Sequence, residues 1–263
     1  MLVYTNINVE FIRLIITGYV IPTKGKFRSN IGPLESGANS IDFGNLFQDS
    51  IGKEIIPIFN STEDTIHIKP QNTFDHIEIT VEPEVIKPGQ SGEVFVQFSS
   101  TKTNYGKLFN TCEFSINIKD NKHTGKLVIM ANVVEDFSIL TEWEKANPPE
   151  ISTGFCNIDL GEIEPNKLTT KILEIENIGK RELLIHNITT TNSMYSIKPL
   201  NQKIEPGNKG IFQLSIKPSI KRNNIASKLT IISNDPEKSV QTFTLVGKVI
   251  LSKDNNVGLK NTK

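Results

Sequence analysis

The sequence predicts an all-β protein built from two copies of one sandwich domain, with part of a third copy at its start. Three observations predict this. Ile occurs 37 times and Ala four times among 263 residues, a bias towards strand formers and away from the best helix former. Apolar residues alternate with polar ones, as in Val94, Val96 and Phe98 and again in Phe212, Leu214 and Ile216, and period two means a strand with one buried face. Third, the chain repeats. Ile41-Asp42-Phe43-Gly44 returns as Ile158-Asp159-Leu160-Gly161, and Asn60 as Asn177. Ile86-Lys87-Pro88-Gly89 and Gly92 return as Ile204-Glu205-Pro206-Gly207 and Gly210. Leu127, Ile129, Ala131 and Val133 return as Phe243, Leu245, Gly247 and Val249.

The elements follow in order. Residues 1–22 read as the terminal hairpin of a truncated domain, because Leu14, Ile16, Gly18 and Val20 parallel Phe243, Leu245, Gly247 and Val249. A lone hairpin is marginal in water, so this one is expected to pack on a sheet or complement one. Residues 23–38, rich in Gly, Ser, Pro and Lys, read as a linker. Residues 39–135 are the first full sandwich. Within it Asn60 turns the chain between two strands, and Pro57 marks an edge or a bulge. Pro88-Gly89 suits the two central positions of a type II turn, with Gly92 beginning the next strand. Residues 136–150 are a connector in which Thr141 caps a short helix that Pro148-Pro149 ends. Residues 151–251 are the second sandwich, with Asn177 and Gly179 in its first turn, Pro206, Gly207 and Gly210 in the next, and Asn234 in its last hairpin. Residues 252–263 form a polar tail.

About seven short strands per copy, with turn signals at regular spacing, are the signature of an immunoglobulin-like sandwich. The antibody disulfide and strand Trp are missing: the two cysteines, Cys112 and Cys156, fall in different halves, and the only tryptophan, Trp143, lies in the connector. The combined motifs resemble a bacterial family of tandem Ig-like domains of unknown function, relatives of the Hydin and major-sperm-protein type of sandwich. The carrying residues are Asp42-Phe43-Gly44 and Asp159-Leu160-Gly161, Asn177 with Gly179, the two Pro-Gly-x-x-Gly turns, and Ser233-Asn234-Asp235. The family's Ser-Cys-Gly-Cys-Thr motif is absent, and the matching region reads Thr190-Thr191-Asn192-Ser193-Met194-Tyr195. The resemblance implies export to the periplasm or cell envelope of a Gram-negative bacterium as part of a parent protein, although this chain opens without a signal-peptide pattern.

Chemistry is sparse. The formal net charge is zero, with 29 Lys+Arg against 29 Asp+Glu, which disfavours a general nucleic-acid binder. The apolar stretch from Phe11 to Pro22 is broken by Arg13 and Thr17 and is too short to span a bilayer. The sequence holds no nucleophile elbow, phosphate loop or zinc-binding His-Glu-x-x-His. His67, His76, His123 and His186 lack ligand spacing, Glu82, Glu84 and Glu93 read as solvated charge, and Lys102, Lys107, Lys119, Lys122 and Lys126 read as edge protection. No catalytic, metal or cofactor residue is assigned and no cofactor is expected. The expected function is a non-enzymatic structural or protein-interaction module that binds a protein partner through strand edges or end loops. A carbohydrate-binding envelope module, using Trp143 or Tyr105, is the alternative.

Overall fold

The computed structural model describes residues 2–3, 12–13, 27–71, 74–199, 202–218 and 224–250. The chain divides into two compact units, residues 1–103 with 107–132, and residues 104–106 with 133–263. No helix among the described residues is long and apolar enough to cross a membrane.

Strands β1 (Leu2–Val3) and β2 (Ile12–Arg13) pair antiparallel; the rest of the hairpin expected at 1–22 lies outside the described residues, as does the polar tail. Next come β3 (Ser29–Ile31), β4 (Leu34–Ser36), β5 (Ser40–Phe47), β6 (Ile51–Phe59), β7 (Ile66–Pro70), β8 (Ile77–Glu82), β9 (Val85–Ile86), β10 (Ser91–Ser99), β11 (Gly106–Ile118) and β12 (Asn121–Val134). They form two five-stranded sheets, in the orders β3-β4-β6-β10-β8 and β5-β12-β11-β7-β9. The second unit holds β13 (Ile151–Thr153), β14 (Asn157–Ile163), β15 (Thr169–Asn177), β16 (Leu183–Thr190), β17 (Tyr195–Pro199), β18 (Lys203–Ile204), β19 (Lys209–Ile216), β20 (Asn224–Ser233) and β21 (Val240–Val249). Its sheets run β13-β15-β19-β17 and β14-β21-β20-β16-β18.

The alternating runs bury as their period requires. Val94, Val96 and Phe98 of β10 and Phe212, Leu214 and Ile216 of β19 are all buried, and each contributes about 1.5–3 kcal/mol by leaving water. The segment 23–38 departs from its reading as a linker. Ser29–Ile31 and Leu34–Ser36 pair as a hairpin, and Ile31 and Leu34 are fully buried. The small and polar residues there serve a turn and strand edges, while two apolar residues anchor the segment in the core. The first sandwich therefore begins before residue 39.

A buried carboxamide organises each unit. Asn60 and Asn177 are both 0% exposed. Asn60 Nδ2 donates to the carbonyls of Asp64 and Ile86, each at 2.8 Å, and Oδ1 accepts from the Thr62 N–H and hydroxyl. Its backbone N–H donates to Gln90 O and its carbonyl accepts from Gly89 N. Asn177 repeats the pattern. Nδ2 donates to Arg181 O at 2.7 Å and Ile204 O at 2.8 Å, Oδ1 accepts from Gly179 N, and the backbone bonds Asn208 O and Gly207 N. Each asparagine thus ties its own turn to the Pro-Gly turn about 30 residues on, with every amide group satisfied, which buried polar groups require. In those Pro-Gly turns Gly89 and Gly207 sit at φ 72° and 75°, which favours glycine.

We predict that Asn177→Ala and Asn60→Ala each cost their unit about 2–4 kcal/mol, because two carbonyls are left buried without a donor. Urea unfolding measures this. A loss under about 0.5 kcal/mol for either variant would contradict the shared role.

Candidate functional site

An edge of a sheet is the place where a sandwich can accept another chain, and the second unit has one left partly open. β13 pairs with β15 for only three residues, Ile151↔Asn177, Ser152↔Glu176 and Thr153↔Ile175. The chain then crosses to the other sheet as β14, which runs parallel to β21. The crossing takes residues 154–156, and an Asp-x-Gly bulge follows within β14. Asp159 Oδ1 accepts from Gly161 N at 2.9 Å, Gly161 takes φ 69°, and the register against β21 shifts there. Such a bulge bends a strand away from its neighbour. Asp42 and Gly44 make the same contact in the first unit.

Asp235 fixes where β13 begins. It is 1% exposed; Oδ2 accepts from Ile151 N at 2.9 Å and Oδ1 from the N–H groups of Glu237 and Lys238. Asn234 alongside accepts from Leu184 N and donates to Glu182 O. Asn234 stands in the turn expected of it, whereas the anchoring role of Asp235 is not legible from residue type, because its partner lies 84 residues away.

Beyond the end of β13, Lys171–Glu174 of β15 line a cleft of about 330 Å³ together with Gly154, Phe155 and Ile158 among others. Backbone direction follows from the ladder. Asn177 N donates towards the β19 side at Asn208, and Ile178 N donates to Glu150 on the β13 side. In an antiparallel sheet these directions alternate, so Thr170, Ile172 and Glu174 turn their N–H and C=O groups to the side that β13 has left. No backbone partner lies there among the described residues. Ile172 is 53% exposed.

The equivalent edge in the first unit is blocked at Pro57. By the same alternation Lys53, Ile55 and Pro57 of β6 face the β4 side. Pro57 has no N–H to offer, and its carbonyl accepts from Gly37 N at 2.9 Å. The ring of Phe43 packs on the face of β6 at Gly52, away from that edge. Proline at an edge is a known way to stop strand addition. The expectation of an edge at Pro57 therefore meets a strand paired with β4 only at Ile58 and Phe59.

The remaining residues singled out from sequence are dispersed. Gly92 and Gly210 lie over Ile86 and Ile204, and Gly179 lies against the Pro148–Glu150 backbone; Pro88 and Pro206 open the turns into β10 and β19. Thr141 caps the helix α1 (Glu142–Ala146) in a reciprocal bond with Glu144. Lys119 pairs with Asp64 and Lys126 with Glu113, and Glu84 with Lys69. His76 Nε2 lies 3.1 Å from Asn110 Nδ2, and burial beside Phe98 and Phe74 pushes its pKa down. His186 contacts Glu135 at 2.6 Å. Among the described residues no group of three His, Cys, Asp or Glu is placed to hold a metal ion. Both cysteines are free. Cys156 is exposed, whereas burial pushes the Cys112 thiol up to about 11.

Residues 149–248 match the family model of the HYDIN/CFA65/VesB-like Ig-like domain. A protein of unknown function from Porphyromonas gingivalis W83 shares the fold, at 17% identity and a TM-score of 0.58 over 82% of this chain and 100% of that one. Weaker likenesses are PapD-like domain 7 of human CEP192 (12% identity, TM-score 0.33, 47% of this chain, 99% of that) and the periplasmic chaperone SfaE (8%, 0.29, 82% and 100%). No curated protein matches by sequence.

We predict that a thiol reagent at pH 8 labels one cysteine of the native chain, Cys156, and the second only after denaturation, because the thiolate is the reactive form. Peptide mapping of the labelled site checks this; labelling of native Cys112 at a comparable rate would contradict it.

Proposed function

We propose that this chain, whose residues 149–248 are an Ig-like domain of the HYDIN/CFA65/VesB-like family, is a non-enzymatic protein-interaction module that binds an extended segment by adding it to the open edge of β15. The observation that carries the reading is the three-residue length of β13, which leaves Ile172 and Glu174 beside a cleft instead of a strand, with Thr170 next along the same edge. Strand addition draws affinity from backbone hydrogen bonds and specificity from alternate side-chain pockets, and an unpaired ladder beside a cleft offers both. The first unit differs at one point of this edge: there, Pro57, with its carbonyl bonded by Gly37, stands where Glu174 stands here. The turn residues Asn60, Asn177, Gly179, Asn234 and the two Pro-Gly-x-x-Gly motifs are then structural, holding the frame in which that edge is presented. A place in the cell envelope, as part of a longer exported protein, accords with the likeness of the motifs to exported tandem Ig-like proteins. A carbohydrate module has less behind it, since Trp143, 67% exposed, stacks on no second ring among the described residues.

A photo-reactive amino acid at position 170, in cells of the native organism, tests the reading. We expect a discrete adduct with another protein in the envelope fraction, absent when Ile172→Pro removes the central edge-facing N–H. Position 198, on the far strand β17 of the same sheet, is expected to give no adduct. Equal cross-linking from both positions, or an adduct that survives Ile172→Pro, would count against it.

A further inference from the structure

We infer that the β15 edge selects an extended segment of a partner protein carrying an apolar side chain and, two residues later, a carboxylate. The inference rests on the strand-addition reading and concerns what that edge recognises. Side chains alternate along β15: Leu173 and Ile175 point into the sandwich and are buried, and Lys171 shares their side of the strand. Lys171 is exposed, and it stands where the buried row of Leu173 and Ile175 ends. Its ammonium donates to the backbone carbonyl of Asp159 on β14. Among the described residues no carboxylate lies within ion-pair distance of it. Other lysines of this unit differ: Lys209 has Glu174 at 3.1 Å, Lys167 has Glu164 at 3.2 Å and Lys203 has Glu182 at 3.5 Å. Lys171 is thus a cation at the cleft mouth, held by a neutral acceptor.

A strand continuing the line of β13, antiparallel to β15, places successive residues opposite Glu174, Leu173, Ile172, Lys171 and Thr170. The residue opposite Leu173 enters the cleft beside Phe155 and Ile158, where Phe155 packs edge-on to Phe243 with ring centroids 4.9 Å apart. That position asks for an apolar side chain. The residue opposite Lys171 meets the ammonium, and a carboxylate there replaces a neutral contact by a charge-assisted one. The residues between point outward beside Ile172, which is exposed, and beside Glu174, whose charge Lys209 already meets. A second copy of the chain answers this less well: in a two-fold pair centred on Ile172, Lys171 faces Leu173 of the other copy and gains no carboxylate.

The test is fluorescence anisotropy with two labelled peptides whose cores are Thr-Ile-Thr-Glu-Thr and Thr-Ile-Thr-Lys-Thr, each flanked by Gly-Ser, added to the full chain. We expect the Glu peptide to bind about tenfold more tightly than the Lys peptide, Lys171→Glu to reverse that order, and Ile172→Pro to abolish both. The reversal in Lys171→Glu shows that this variant is folded and keeps the result from turning on the proline variant. Equal binding of both peptides, lost in Ile172→Pro, overturns the carboxylate inference and leaves strand addition standing. Absence of binding up to about 1 mM overturns the inference while the cross-link from position 170 still reads the broader proposal. A chain that sediments as a dimer and falls to monomer in Ile172→Pro makes a second copy the occupant and overturns it as well.

Discussion

Both sandwiches hang on one buried side chain. Asn60 and Asn177 each bond their own turn through one amide hydrogen and the side-chain oxygen, and the Pro-Gly segment about 30 residues on through the other amide hydrogen and their backbone groups. A carboxamide is the right group because it carries donors and an acceptor in one plane. An aspartate there would face two carbonyls with no hydrogen to give. Once the two turns are locked together, β6 with β10 and β15 with β19 have their register set, and alternation then decides which residues enter the core.

The same register decides which backbone groups are left over. Because Asn177 bonds towards β19, the even-numbered residues of β15 turn the other way, and the early departure of β13 exposes them. Asp235 holds the start of β13, and the Asp159–Gly161 bulge lies within β14, the strand that follows. In the first unit the equivalent frame ends in a proline and a covering glycine backbone. Two copies of one domain therefore differ along this edge and agree in the turns that set the fold. An open edge is an aggregation hazard, and Lys171 at its mouth limits the hazard by admitting few sequences.

Much of this was legible in the sequence because it is local. The repeat, the strand alternation, the Pro-Gly turns and the Thr141 cap each lie within a few residues, so residue type and spacing report them directly. The segment 23–38 was misread because its turn and edge residues outnumber Ile31 and Leu34, the two that anchor it. The roles of Asp235 and Lys171 depend on partners 84 and 12 residues away, and residue type alone does not announce such pairings. Pro57 did signal an edge, but that its counterpart Glu174 lies on an open one follows only from where β13 stops.

On this reading β15 is paired on one side and open on the other between Thr170 and Glu174. Amide hydrogen exchange, read residue by residue by NMR on the full chain, distinguishes the two sides. Alternation is expected: slow exchange at Lys171 and Leu173, whose N–H groups bond β19, and fast exchange at Thr170 and Ile172. Slow exchange at all four would show that the edge is already covered, and would contradict the claim.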